Sequence, residues 1–242
     1  MFSGHYVPQL AQLIVQTKSK FNLKGIAIGN PLLEFNTDFN SRAEFLWSHG
    51  LISDSTFQTF TKICNYSQIR REYQSGTATI QEGEKIDVCE EDETISYLNR
   101  KDVQLALHAK LVGVPAWSTC SGVLKYDMQN LEIPTISILG KLVKSGLRVL
   151  VYSGDQDSVI PLLGTRSLVN GLAKDFGLNT TNSYRAWFNE RQVAGWTQIY
   201  GDGILSFATI RGASHEAPFS QPGRSLGLLK AFLEGKPLPT IL

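Results

Sequence analysis

The sequence lacks the features that mark membrane proteins and nucleic-acid-binding proteins. No apolar run approaches the roughly 20 residues that a membrane-spanning helix needs. Lysine and arginine are scattered without clusters and the net charge is only +1, so the chain offers no basic surface to a nucleic acid or an anionic membrane. The first residues show no basic segment followed by an apolar one, so we expect no signal peptide. We therefore expect neither a nucleic-acid nor a membrane partner.

Cysteine is also scarce, with Cys64, Cys89 and Cys120 as the whole set. Their spacing matches no zinc-binding pattern, and no glycine-rich loop opens a helix, so we expect no metal and no other cofactor. An odd cysteine count, together with the Asn-x-Ser/Thr sequons at Asn65 and Asn179, favours a secreted glycoprotein that lacks one disulfide partner. Three buried thiols in a reducing compartment are the alternative.

What the sequence does contain is the alternation of strands and helices that is typical of α/β proteins. Apolar runs predict buried strands at residues 23–28, 147–152 and 205–210, and a hairpin is predicted from residues 184–188 and 193–200. Helical spacing predicts helices at about residues 7–18, 163–174 and 222–234. Residues 38–127 show helical patterns and polar turns, which predict a helical insertion. The alternation favours a mostly parallel sheet with helices on its faces.

Two polar segments that follow predicted strands form a candidate active site. Asp155 and Asp157 come directly after the strand at 147–152, and His215 lies in a loop after the last strand. A carboxylate can hold an imidazole in one tautomer and stabilise its cation. An aspartate followed by a histidine also matches the Ser…Asp…His chain order of the α/β-hydrolases. Taken singly, the aspartates could cap a turn and the histidine could be structural.

Seven longer motifs follow one another along the whole chain: GHYVP at 4–8, GIAIGNP at 25–31, SHGLIS at 48–53, VYSGDQDSVIP at 151–161, GWTQIY at 195–200, ATIRGASHEAP at 208–218 and FLEG at 232–235. In sequence and in order they resemble the plant-type serine carboxypeptidase family. The resemblance implies a truncated α/β-hydrolase fold of the α/β class, with a partial, mostly parallel sheet, a lid-like helical insertion and a C-terminal His loop. It implies one partial domain over residues 1–242, with the insertion at about 38–127.

The same resemblance implies roles for the polar residues. Asp157 would be the catalytic acid and His215 the general base, whereas Asp155 would form the turn and Glu216 would flank the substrate site. The implied activity is serine-type release of C-terminal residues from peptides. Some relatives transfer acyl groups from activated esters with the same triad, so a peptide and an acyl-ester substrate both stay open. The resemblance also implies that the protein is secreted or vacuolar.

The chain also departs from the family pattern. Aligning residues 4–6 with the family motif Gly-Glu-Ser-Tyr-Ala-Gly-His-Tyr puts Met1 at the position of the nucleophilic serine. The upstream Trp-x-Asn-Gly-Gly-Pro-Gly-Cys-Ser-Ser segment, which supplies oxyanion donors, has no counterpart. Ser3 is expected to point away from His215, because two helical steps rotate a side chain by roughly 200°. We therefore expect the chain to be inactive alone.

Three consequences of this departure stay open as expectations. A second chain could supply the N-terminal half, or the chain could be a non-catalytic fragment that acts by binding. The resemblance implies that Cys120 is unpaired and leaves a Cys64–Cys89 bridge open. It also implies that residues 25–28 form an open, apolar edge of the sheet.

Overall fold

The computed structural model describes residues 3–17, 20–63, 95–109, 116–118 and 133–240. The chain divides into two compact units, one formed by Met1–Gly76 with Gln129–Leu242 and the other by Thr77–Met128. The three cysteines and the Asn65 sequon lie outside the described residues. Within the described ranges, no helix is both long and apolar enough to cross a membrane.

The first unit is built on a five-stranded mixed sheet whose order is β1-β2-β5-β4-β3. The first three strands in that order run parallel, and β4 and β3 add an antiparallel hairpin beside β5. The predicted strands, the hairpin and the α/β class are therefore confirmed. The strands are β1 (Gly25–Gly29), β2 (Arg148–Gly154), β3 (Thr180–Asn189), β4 (Gln192–Tyr200) and β5 (Leu205–Ile210).

The β3–β4 hairpin closes through a two-residue turn. Only Glu190 and Arg191 separate the two strands, and both have positive φ angles, of 48° and 61°. Two such residues form a type I′ turn, whose twist matches that of the flanking strands. The hairpin thus closes without the Asn-Gly pair that usually marks this turn in a sequence.

Helices of the first unit cover both faces of its sheet. The described helices of this unit are α1 (Ser3–Gln16), α2 (Phe35–Ser48), α3 (Asp54–Ile63), α5 (Ile136–Lys144), α6 (Leu162–Asp175), α7 (Ala217–Ser220) and α8 (Pro222–Glu234). The second unit contains α4 (Lys101–Ala106) in its described part. The described residues of the predicted insertion are mostly helical, with turns at 49–53 and 107–109, but its limits at about 38 and 127 stay a prediction.

The two faces of the sheet receive alternate residues of each strand. Val149 and Val151 belong to the core beneath α1, α5 and α6, whereas Leu150 belongs to the core beneath α8. This alternation follows from the two-residue period of a strand. β1 is an outer strand of the sheet that the structure describes, as expected for residues 25–28. Its Ile26 and Ile28 side chains are nevertheless buried, so these two apolar side chains are not exposed to solvent.

Helix α1 begins four residues earlier than its apolar spacing predicted, and it does so despite an internal proline. Pro8 has no N–H to donate to Gly4 O, the carbonyl one turn before it. The hydroxyl of Thr135 donates to that carbonyl instead, at 2.6 Å, and the Thr135 backbone N–H donates to Leu33 O at 2.8 Å. Thr135 is fully buried, so this one side chain joins α1 to the start of α5.

Candidate active site

The structure brings together the two residues that the sequence predicted as acid and base. Asp157 follows β2 and His215 follows β5, and these neighbouring strands are parallel. Their carboxyl ends therefore lie at the same edge of the sheet. His215 Nδ1 lies 2.9 Å from Asp157 Oδ2. The Asp157 side chain is fully buried, whereas the His215 side chain is 28% exposed.

Asp157 is held by hydrogen bonds on both of its oxygens. Oδ1 accepts the backbone N–H groups of Val159, at 2.8 Å, and Ile160, at 3.1 Å. Oδ2 accepts from Asn30 Nδ2, at 2.6 Å, in addition to facing His215. A carboxylate surrounded by donors acts as an acceptor, which assigns the donating hydrogen to Nδ1 of the imidazole. The opposite ring nitrogen, Nε2, then has the lone pair that can take a proton.

Asn30 is the one residue of this cluster to which the sequence analysis assigned no role. Asn30 follows β1, the parallel strand that neighbours β2 on the side away from β5, and the residue is 2% exposed. Its position one residue after a buried strand was the available signal, because the carboxyl ends of neighbouring parallel strands converge. The structure shows that convergence in full: the carboxyl end of β1 meets those of β2 and β5.

Asp155 lies at the base of the loop of residues 211–216, which we call the His loop. Its Oδ1 accepts the backbone N–H of Gly212 at 2.7 Å. The neighbouring Gln156 N–H donates to Ala213 O at 2.9 Å. These bonds attach the His loop to the turn after β2, so the Asp155 carboxylate bonds a distant loop and its turn-forming role stays a prediction.

Glu216 and Ser3, the two other residues that the sequence singled out, lie just before α7 and at the start of α1. Glu216 is exposed and precedes α7, where its carbonyl accepts from Ser220. Ser3 is in the first turn of α1, and its hydroxyl donates to Gly29 O at 2.8 Å. Among the described residues there is no group of three or more side chains that could hold a metal ion. The chemistry that the described cluster offers is proton transfer by an oriented imidazole.

Comparison with known proteins gives the family context of this site. The family model described as serine carboxypeptidase matches residues 1–85 and 72–235. Serine carboxypeptidase-like 45 of Arabidopsis thaliana is 55% identical, over 98% of this chain and 61% of its own length. Serine carboxypeptidase II-1 of Hordeum vulgare is 32% identical, over 98% of this chain and 85% of its own length.

A solved structure shares the fold. It is that of Kex1Δp, a prohormone-processing carboxypeptidase from Saccharomyces cerevisiae, with a TM-score of 0.66 at 18% identity. The match covers 97% of this chain and 60% of that one, and it shows the α/β-hydrolase fold. The chain spans about three fifths of the length of the Arabidopsis relatives, with 61% coverage for each of the first two.

Proposed function

Because the chain belongs to the serine carboxypeptidase family, we propose that Asp157 and His215 are the acid and the base of a serine-type carboxypeptidase site. The proposed reaction releases C-terminal residues from peptides. The observation that supports it best is the 2.9 Å contact between His215 Nδ1 and the buried Asp157 carboxylate. This contact orients the imidazole as a serine-type mechanism requires.

In the proposed reaction, His215 Nε2 removes the proton of a serine hydroxyl while the serine oxygen attacks the scissile carbonyl carbon. Asp157 stabilises the imidazolium that forms. The same proton then passes to the leaving amino group as the C–N bond breaks, which leaves an acyl-enzyme. Water, deprotonated by His215, hydrolyses this ester and restores the hydroxyl.

We propose further that the attacking serine does not come from residues 1–242. The family alignment places Met1 at its position, and the hydroxyl of Ser3 already donates to Gly29 O. The serine and the oxyanion donors would belong to an N-terminal extension of the chain or to a second chain. The proposal therefore treats residues 1–242 as the acid–base half of a site.

A fluorophosphonate probe, which reacts with activated serines, tests this proposal. The 242-residue chain should stay unlabelled. A form extended to include both a Gly-Glu-Ser-Tyr segment and the upstream Trp-x-Asn-Gly-Gly-Pro-Gly-Cys-Ser-Ser segment should label stoichiometrically, because it regains the nucleophile and the oxyanion donors. His215→Ala in the extended form should slow labelling by at least about 10³-fold. His49→Ala is the matched control, because the His49 imidazole hydrogen-bonds the carbonyl of Phe45 in its own helix, and this variant should label like the unsubstituted extended form.

The outcomes separate the two parts of the proposal. Labelling of the 242-residue chain that is lost in His215→Ala would show that the chain contains its own nucleophile. An extended form that folds but does not label would refute the peptidase site. With a peptide substrate, the expected products are a free C-terminal amino acid and a shortened peptide. An O-acyl product from an activated ester and an alcohol would instead indicate an acyltransferase.

A further inference from the structure

We propose that Asn30 is a positioning residue for the Asp157–His215 pair, and that its side-chain amide fixes the carboxylate and the His loop relative to each other. The catalytic consequence rests on the proposed function. The positioning itself is a property of residues within this chain and is open to measurement without catalysis.

The amide of Asn30 makes three hydrogen bonds, each to a different segment of the site. Nδ2 donates to Asp157 Oδ2 at 2.6 Å and to Ser214 O at 3.1 Å, while Oδ1 accepts from Gly154 N at 3.1 Å. A carboxylate and a carbonyl only accept, and a backbone N–H only donates, so one orientation of the amide satisfies all three. The side chain thus links the end of β2, the catalytic carboxylate and the residue before His215.

The backbone at Asn30 restricts which residues can take this position. Its φ angle is +45°, in the left-handed region that asparagine tolerates better than most side chains. Its own N–H donates to Tyr152 O at 2.8 Å and extends the pairing of β1 with β2. Asparagine combines a tolerated left-handed backbone with two amide donors and one acceptor, and the site uses all of these properties.

The bond to Oδ2 matters because this oxygen also faces the imidazole. The two backbone donors hold Oδ1, and Asn30 holds Oδ2 from a direction other than that of His215. Without the amide, the carboxylate loses the neutral donor that fixes Oδ2, and the His loop loses its bond at Ser214. A carboxylate at position 30 would place two acceptors against each other, and such a pair must share a proton or separate.

The test is the NMR resonance of the His215 Nδ1 hydrogen in the 242-residue chain labelled with ¹⁵N-histidine, from pH 5 to pH 9. A hydrogen held between Nδ1 and Oδ2 gives a resolved downfield signal, which the wild type should keep throughout. Asn30→Gly suits the left-handed backbone but removes the amide, so the signal should shift upfield or broaden at every pH. Asn30→Asp should keep it at low pH, where the new carboxyl group can donate, and lose it as the pH rises.

Ser153→Ala is the control for a buried substitution next to this network. Ser153 precedes Gly154, it is fully buried, and its hydroxyl makes no hydrogen bond within the described residues. This variant should give the wild-type signal. A folded Asn30→Gly chain with the wild-type signal would overturn the inference, and so would an Asn30→Asp signal that follows the wild type at every pH. Failure of the labelling assay would not affect these spectra, so the two proposals fail separately.

Discussion

Asp38 should make this protein less stable as the pH rises towards neutrality. Its side chain is fully buried at the start of α2, where Oδ2 accepts the backbone N–H groups of Leu33, at 2.7 Å, and Glu34, at 3.0 Å. Oδ1 makes no hydrogen bond within the described residues. Burial, with a smaller contribution from the Glu34 charge, raises the pKa of Asp38 to about 7, although the two N–H groups oppose the rise.

The sign of the effect follows from proton binding. In the unfolded chain the pKa of an aspartate is about 3.9. Between about pH 4 and pH 7 the folded state therefore keeps a proton that the unfolded state has lost, so raising the pH favours unfolding. Each pH unit costs about 1.4 kcal/mol, which gives at most about 4 kcal/mol across the interval. Above pH 7 the contribution levels off.

Asp38→Asn should remove this pH dependence. The amide oxygen can accept the same two N–H groups, and the NH₂ can donate to the Thr165 hydroxyl, which is buried without a hydrogen bond within the described residues. At pH 8 the free energy of unfolding should rise by up to about 4 kcal/mol, or roughly 10 °C in Tm for a chain of this size. At pH 4 the variant and the wild type should be nearly equal.

Thermal and urea unfolding of both chains from pH 4 to pH 8 provides the measurement. Glu44→Gln removes a negative charge from an exposed position on the same helix, and it should leave the pH slope unchanged. Only the difference between wild type and Asp38→Asn isolates the buried group, since other residues titrate in both chains. A difference that stays constant across this pH range would refute the reasoning.

Two further substitutions test the packing that supports the site. Gly154→Ala would place a methyl carbon 2.5 Å from Ser214 O. It should therefore displace the His loop, lower the free energy of unfolding by about 1–3 kcal/mol and abolish the wild-type NMR signal of His215. A folded variant with that signal intact would contradict this packing. Trp187→Phe removes a fully buried indole N–H that donates to Thr209 O at 2.9 Å. Urea unfolding should show a free energy of unfolding lower by about 1–3 kcal/mol. An unchanged urea midpoint would contradict this prediction.

The main elements of the fold were predictable because their signals are local. The strands at residues 148–154 and 205–210 are mostly apolar and overlap the runs predicted at 147–152 and 205–210, and the helix at 222–234 begins at its proline as predicted. Asp157 and His215 could be paired from their positions after two strands and from the family motifs. The position of Asn30 after β1 indicated the same edge of the sheet, but its hydrogen bonds could not be predicted, because their partners lie more than 120 positions away, at Gly154, Asp157 and Ser214.

The sequence by itself determined which segments become strands, which become helices, and which aspartate and histidine follow the strands, because residue periodicity and motif order are properties of neighbours in the chain. Only the tertiary structure decided that β5 lies between β2 and the hairpin, although the hairpin comes before β5 in the chain. It alone also decided that Asn30 donates to the Asp157 carboxylate and that Asp38 is buried with one oxygen unbonded within the described residues. Strand order, hydrogen-bond partners and desolvation depend on segments that are distant in sequence, and folding brings them together.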